Sequence, residues 1–318
     1  MSKIIFVGDV HLNAQTPQSR KDINPAYPTL ILEKLKMVDN IAQQINAKAI
    51  IYLGDLFNSP RLNNDLYTFK CMSTLINMKT PQYTIIGNHE MPYDRVDSLF
   101  EYTLLAQVFA NGSVKHLDKL QIDDVEIVGV DFNKDIPQSD INKYSICVAH
   151  AFYENEFYGR GNSNITREQA FNLHYNAYVL GHDHTPYQPI EEPTYKIIRP
   201  GSLSRGTSST CNLYRDVNIE IFDTETKIFE EYKLPVKPGE EVFKERVFLN
   251  KSIDDSVEDI IKELDFNQSS SAYEILNQMA PTLQEKLPKT HKDVVSLIKK
   301  YFEANGIYDH KIKALDIE

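Results

Sequence analysis

Residues 178–186 read Tyr-Val-Leu-Gly-His-Asp-His-Thr-Pro, YVLGHDHTP. An apolar run suited to a buried strand stops at a glycine, and the chain then presents two imidazoles. Glycine lets the backbone turn sharply and lie close to its neighbours. Four other apolar runs also end in polar, metal-capable residues, three of them after a glycine: FVGDVH with Asp9 and His11, YLGDLF with Asp55, IIGNHE with Asn88 and His89, and, without glycine, ICVAHAF with His150. Five of the nine histidines fall in these places, more than a scatter of surface histidines would put there. Taken singly, each residue has an ordinary explanation. A histidine after a strand is commonly a hydrogen-bonded loop residue, and an aspartate after glycine is commonly a turn or a helix cap. Independent caps do not explain why Asp, Asp, Asn, His and His-x-His all follow buried strands in one chain. In an open α/β sheet, sites form beyond the carboxyl ends of the strands.

The chemistry of this set is coherent. Two divalent cations roughly 3.5–4 Å apart need a bridging ligand, and a carboxylate is the short anionic group for it. Asp and His together suit manganese, iron or zinc, and a set without thiolates argues against a closed structural zinc site. An asparagine oxygen adds a neutral ligand and leaves net positive charge for a phosphate.

The strands alternate with helices in the first half of the chain. KIIFVGD (3–9), KAIIYLGD (48–55) and QYTIIGNH (82–89) read as strands. Between the first two, Leu30, Ile31, Leu35, Val38, Ile41, Ala42 and Ile45 fit one face of a helix over 28–47. Stretches 63–78 and 97–110 read as further helices, the latter with Asp97 as its N-cap. Such alternation implies right-handed crossovers and a largely parallel sheet covered by helices. After residue 113 strands dominate. A hairpin is expected over 120–132 with Asp123-Asp124 near its turn, then strands at 144–150, 177–182 and 195–202, then a second hairpin over 217–236. This second half suits a two-sheet sandwich with helices outside. KLPVKPGEE (233–241), with two prolines and a glycine, reads as a linker. The expected division is therefore 1–236 and 237–318. Beyond the linker come a strand-like EVFKERVFL and helical patterns at 253–264, 270–286 and 290–304, the middle one interrupted at Pro281.

The bulk properties are those of an ordinary globular chain. At 318 residues there is room for one large domain and a small one. No stretch approaches the ~20 apolar residues of a membrane span, and MSKIIFVGDVH turns polar too soon for a secretory signal. Three widely spaced cysteines, Cys71, Cys147 and Cys211, make neither a disulfide framework nor a thiolate zinc site and suit a reducing cytoplasm. The net charge of −11 does not advertise a nucleic-acid binder, although bound cations and local basic positions could still meet phosphates.

The order and spacing GDVH…GDLF…GNHE…AH…GHDH resembles the calcineurin-like metallophosphoesterases over about residues 1–235. The resemblance implies a four-layer α/β sandwich, two mixed β-sheets flanked by helices, followed here by a small C-terminal α/β or α domain. It implies that Asp9, His11 and His184 bind one metal, that Asn88, His150 and His182 bind a second, and that Asp55 bridges them. His89 would face the scissile phosphate as the catalytic residue. Gly181 would let the chain deliver His182 and His184 to neighbouring metals, with Asp183 pointing away. The implied cofactors are two divalent metal ions, manganese first, with magnesium, iron or zinc as alternatives.

Several substrate classes share that core. The Ser/Thr protein phosphatases carry GDxHG and GDxVDRG, whereas Leu12 follows His11 here and LFNSP follows Asp55. The arginine that would clamp a phosphomonoester is missing from its place, although GNHE with Glu90 matches the phosphatase spelling. GDLFNSPRLNND and RPGSLSRGT (199–207) resemble the SbcD/Mre-eleven branch of DNA double-strand-break nucleases, and the chain length resembles its phage versions. That branch implies a DNA exonuclease or endonuclease in repair, recombination or replication. It implies DNA and an SMC-like ATPase as partners, a homodimer as a further assembly, and a cytoplasmic location, the host's if phage-encoded. Arg61, Arg199 and Arg205 are candidate phosphate contacts. A protein or nucleotide phosphatase, or a small phosphodiesterase, is the alternative enzyme. A metal-free binding scaffold would have lost ligands, and all seven are present.

Overall fold

The computed structural model describes residues 2–21, 23–91, 97–154, 164–206 and 210–244. The chain divides into two compact units, Met1–Phe243 and Lys244–Glu318. The helical patterns expected beyond residue 250 lie outside the described residues.

In the first unit the elements run β1 (Lys3–Val7), α1 (Tyr27–Gln44), β2 (Ala47–Tyr52), α2 (Asp65–Asn77) and β3 (Gln82–Thr84). A 3₁₀ turn at Asp97–Tyr102 leads into α3 (Leu104–Ala110), β4 (Lys115–His116), β5 (Lys119–Ile122), β6 (Val125–Val130) and β7 (Tyr144–His150). Then follow β8 (Phe152–Tyr153), β9 (Asn164–Ile165), α4 (Arg167–Leu173), β10 (Ala177–Gly181), β11 (Tyr187–Glu191) and β12 (Lys196–Arg199). Last come α5 (Thr210–Tyr214), β13 (Val217–Asp223), β14 (Ile228–Leu234) and α6 (Gly239–Val242).

The strands form two mixed six-stranded sheets, ordered β14-β13-β1-β2-β3-β4 and β11-β12-β10-β7-β6-β5. In the first, β1, β2, β3 and β4 are parallel and the β13–β14 hairpin is added antiparallel. In the second, β12, β10, β7 and β6 are parallel, with antiparallel β11 and β5 at the edges. Side chains of a strand alternate between faces, so a strand covered on both sides reads as a continuous apolar run. Ile4 and Phe6 of β1, Ile51 of β2, Ile146 and Val148 of β7, and Ala177 and Val179 of β10 fill the core between the sheets. Ile5, Val7, Ile50 and Tyr52 face outward against Ile31, Leu35 and Val38 of α1 and Cys71 and Leu75 of α2. Cys147, Ala149, Tyr178 and Leu180 face the other way, with Ala170 of α4. The result is the four-layer sandwich.

Local chemistry sets several boundaries. Asn64 begins α2 by accepting the Tyr67 N–H at 2.8 Å, worth about 1 kcal/mol for a cap of this kind. The helix expected over 97–110 is divided instead. The Thr103 side chain accepts the Ala106 N–H and starts α3 there, so Asp97 is not its cap. Strand β3 stops at Thr84, short of the expected 82–89, because side chains capture its donors. The Ile86 N–H goes to Asp131 at 2.8 Å and the Gly87 N–H to Glu90 at 2.8 Å. The stretch read as a linker finishes β14 and forms α6. Val242 and Phe243 are buried, and Phe243 pairs with Arg20 in an isolated bridge.

Candidate metal centre

All eight motif residues of the site follow or close the central parallel strands. Asp9 and His11 follow β1, Asp55 follows β2, Asn88 and His89 lie beyond β3, His150 ends β7, and His182 and His184 follow β10. The parallel direction of β1, β2 and β3 in one sheet and β7 and β10 in the other delivers them from strands running the same way.

Two glycines make the approach close enough. A Cβ on Gly87 would lie 2.1 Å from Asp55 Oδ1, and one on Gly181 would lie 2.8 Å from Asp9 Oδ1 and 2.3 Å from the Leu53 carbonyl. His11, Asp55 and His182 all have positive φ, at 50°, 49° and 79°. Each such left-handed residue costs on the order of 1–3 kcal/mol, a strain that persists where surrounding contacts over-determine it. Here they do. Asp55 O accepts the N–H groups of Val10 and His11, and the Asp9 carboxylate accepts the His182 N–H at 3.1 Å through both oxygens.

Ligand atoms of Asp9, His11, Asp55 and His184 lie within 4.8 Å of one another. His11 Nε2 faces His184 Nε2 at 2.8 Å, and His184 Nε2 is 3.3 Å from Asp9 Oδ2. His150 and Asn88 converge on Asp55 too: His150 Nε2 is 2.9 Å from Asn88 Oδ1 and 3.4 Å from Asp55 Oδ2. His150 Nδ1 donates to the Leu53 carbonyl at 2.7 Å. That bond points Nε2 at the two oxygens, so the protonated ring donates to them there and the deprotonated ring offers a lone pair in the same direction. Lone pairs aimed at one another are the arrangement a cation resolves, so the donor set fits divalent metal. The His182 ring lies 4.8 Å from the His150 ring and is flanked by Phe152 at 4.3 Å and Phe132 at 5.5 Å.

The electrostatics divide the imidazoles into two kinds. Burial pushes His11 down to about 4 and, with the neighbouring His150, pushes His182 down to about 4 as well. Burial also opposes charge on His150, but Asp55 and Asp9 outweigh it and raise that ring to about 10. For Asp9, burial is outweighed by His150 and His184, and its carboxyl sits below the usual range. Asp55 is lowered in the same way, burial yielding to His150 and His11.

The imidazoles differ in depth. The His89 side chain is 40% exposed and that of His184 34%, whereas those of Asp9, Asp55 and His150 are at most 1% exposed. The His89 N–H donates to Asp55 Oδ1 at 2.9 Å, and its Nδ1 donates to the Asn58 carbonyl at 2.9 Å. The Nε2 edge is thereby left 3.9 Å from Asp55 Oδ2. Asp183 accepts the Thr185 N–H at 3.0 Å, closing a local turn.

The three arginines are not brought together. Arg61 is exposed. Arg199 stacks 4.0 Å from the Tyr187 ring centroid, with its Nε buried and without a partner. Arg205 is buried, and its guanidinium donates to the Lys237 carbonyl.

Sequence reasoning passed over Glu90. It is fully buried, and its carboxylate accepts the N–H groups of Asp55 at 3.0 Å, Phe57 at 2.9 Å and Gly87 at 2.8 Å. It ties the Asp55 loop to the Asn88 loop. Burial and the neighbouring Asp55 carboxylate raise it to about 8. Its signal was its place in the GNHE motif, read there as a spelling difference.

A family model described as calcineurin-like phosphoesterase matches residues 2–186. No curated protein matches the chain. Among solved structures, a hypothetical protein from Thermus thermophilus is 11% identical, covering 73% of this chain and 98% of its own, with a TM-score of 0.42. A dimetal phosphatase from Danio rerio is 10% identical, covering 69% and 92%, with a TM-score of 0.44. Vps29 from Chaetomium thermophilum is 11% identical, covering 74% and 97%, with a TM-score of 0.36. The family model takes in every one of the eight motif residues, from Asp9 to His184, and more than half of the sequence. A metal-ligand cluster at the ends of parallel strands in this sandwich makes the protein a metal-dependent hydrolase, and the chain belongs to the calcineurin-like phosphoesterases.

Proposed function

We propose that the protein is a two-metal-dependent DNA phosphodiesterase working with an SMC-like ATPase. The observation that carries the reading is the way His89 is held: its backbone N–H is bonded to Asp55 and its Nδ1 to the Asn58 carbonyl, which leaves Nε2 of a 40% exposed ring above Asp9, Asp55 and His150. Asp9, His11 and His184 would hold one cation, Asn88, His150 and His182 the other, with Asp55 shared. When bound, such cations polarise a phosphate and lower the pKa of water enough to make a nucleophile at neutral pH. Manganese is the first candidate, by donor type.

His89 lies above these ligands on the solvent side. Its Nδ1–H is committed to Asn58, so any proton exchanged with substrate passes through Nε2. In the imidazolium form Nε2–H would donate to the departing sugar oxygen, and the Asn58 carbonyl would hold the ring in place as it gave up that proton. The backbone bond from His89 to Asp55 couples the acid's position to the shared ligand. Phe132 and Phe152 pack against the His182 ring and hold its orientation.

The residues after Asp55 favour a diester over a monoester. Asn58 and Ser59 stand where GDxVDRG carries its Asp and its Arg, so the arginine clamp of a phosphomonoester is missing. Residues 245–318 would supply the contact with the ATPase. The test is incubation of the full-length protein with manganese and end-labelled linear DNA, with and without that ATPase, alongside para-nitrophenyl phosphate. Manganese-dependent DNA cleavage, lost in His89→Ala, is expected. Turnover of the small ester with intact DNA under every condition would replace the reading with that of a phosphatase.

A further inference from the structure

A second charged site lies in a cavity of about 460 Å³ between α1 and the 235–242 segment. Arg20, Lys34 and Arg205 line it together with apolar residues that include Leu30, Met37 and Val236. Arg20 and Arg205 are 6% and 5% exposed. Arg20 is held flat between two rings, 4.7 Å from the Tyr27 centroid and 5.3 Å from that of Phe243. These cations donate to neutral carbonyls: Arg20 to Arg205 at 2.7 Å, Lys34 to Leu203 at 2.7 Å, and Arg205 to Lys237.

Among the described residues no carboxylate is in ion-pair contact with any of the three. Arg205 senses Asp216 and Glu240, but Asp216 is bonded by Lys233 at 2.5 Å and Glu240 is exposed. Glu33 and Glu241 line the cavity but are exposed. Arg215 is a fourth cation felt by Lys34. Buried charges are ordinarily paired, because an isolated one forfeits its hydration. Three cations around one partly apolar cavity therefore leave a place for an anion.

We infer that this cavity is a binding site for a small organic anion with a phosphate or carboxylate head and an apolar body. The head would take the free donor edges of Arg20 and Arg205 and the Lys34 ammonium, and the body would lie on Leu30, Met37 and Val236. Nothing in this site requires the chemistry of the metal centre. The cavity does share a segment with that centre. Leu203, whose carbonyl holds Lys34, donates its N–H to the Asp9 carbonyl at 2.9 Å.

The test uses the full-length chain stripped of metal with a chelator, so that phosphate cannot bind through metal. Its melting temperature is read in adenosine 5′-monophosphate and in octanoate, against sodium chloride of equal ionic strength. A rise with either anion that chloride does not match is expected. A response to the nucleotide assigns a phosphate head, and a response to octanoate a carboxylate head. No rise with either overturns the inference. Lys34→Met removes one cation and should melt above the wild type without anion. A lower melting temperature with the anion response intact would count against the site. By calorimetry, Arg205→Gln should bind the effective probe about tenfold or more weakly, the loss of one charge-assisted hydrogen bond. Unchanged affinity there also overturns the inference.

Discussion

The Asp9–Asp55 cluster and the Arg20–Arg205 cavity both take ionic groups out of water, and they offset the cost differently. At the strand ends, each carboxylate faces imidazoles that can carry or shed a proton, so the cluster can balance itself before any metal arrives. Beside α1, guanidinium and ammonium groups face carbonyl dipoles, and among the described residues no carboxylate is in ion-pair contact with them. The first cluster can exchange its protons for cations. In the second, burial and the neighbouring guanidiniums push the Lys34 ammonium well down, but the arginines stay protonated and are left to recruit an anion.

The strongest way to break this contrast is to unbalance the first cluster. Asp55→Ala takes an anionic ligand from both cation positions at once. Hydrolysis should be abolished and metal lost from both, while circular dichroism shows the fold retained, since Asp55 lies beyond β2 and outside the apolar core. Normal metal content in this variant would refute Asp55 as the shared ligand.

His89→Ala removes the imidazole that stands outside the proposed ligand set. Metal content and DNA affinity should hold, and the rate should fall by roughly 10²–10⁴, the usual contribution of a general acid. Loss of metal would make His89 a ligand and leave the cluster without its acid.

Glu90→Ala tests the framework beneath both loops. Three buried N–H groups would lose their acceptor, at about 1–3 kcal/mol for each left unsatisfied. Metal affinity should drop about 10–100-fold, as is usual when an outer partner of a ligand is removed. A melting temperature and metal affinity equal to the wild type would show that Glu90 holds nothing.

The smallest effect concerns protons. His11 and His182, held near 4, are neutral at pH 7 and can ligate at once. His150, raised to about 10, must lose a proton before its Nε2 can bind metal. Below that value protons compete with the cation, so apparent affinity should rise by up to about tenfold per pH unit from pH 6.5 to 8.5. Metal uptake at pH 7 should release a proton, detectable by calorimetry in buffers of different ionisation enthalpy. The sign reverses for the metal-free fold. A raised His150 contributes stability fully below its unfolded value near 6.5, and that contribution fades as pH climbs toward 10. An affinity that does not vary with pH would mean His150 is neutral in the empty site.

The metal centre was legible in the linear chain because its members are bound to strand ends. A buried strand needs four or five consecutive apolar residues, a glycine marks its exit, and the ligand follows within one to three positions. Asp9, Asp55 and His184 could all be found that way, and His150 from the strand end alone. The same logic misjudged β3. Its donors are captured by Asp131 and Glu90, residues identifiable as acceptors only once the chain has folded. It also set the start of a helix at Asp97, where Thr103 competes with a better-placed oxygen.

What the sequence determined by itself is the set of groups that could bind metal and the sandwich that carries them, because apolar periodicity and strand-end punctuation are local properties. Tertiary structure alone decided which way each charge faces. Arg205 lies three residues beyond Ser202, which donates its N–H to the His184 carbonyl, yet its guanidinium turns away to Lys237 and meets Arg20 and Lys34 from the far end of the chain. Glu90 is bound by three N–H groups from two loops. Long-range placement of this kind has no pattern along the sequence, since residues 20, 34 and 205 become neighbours only through the packing of α1 against the segment that leaves β12.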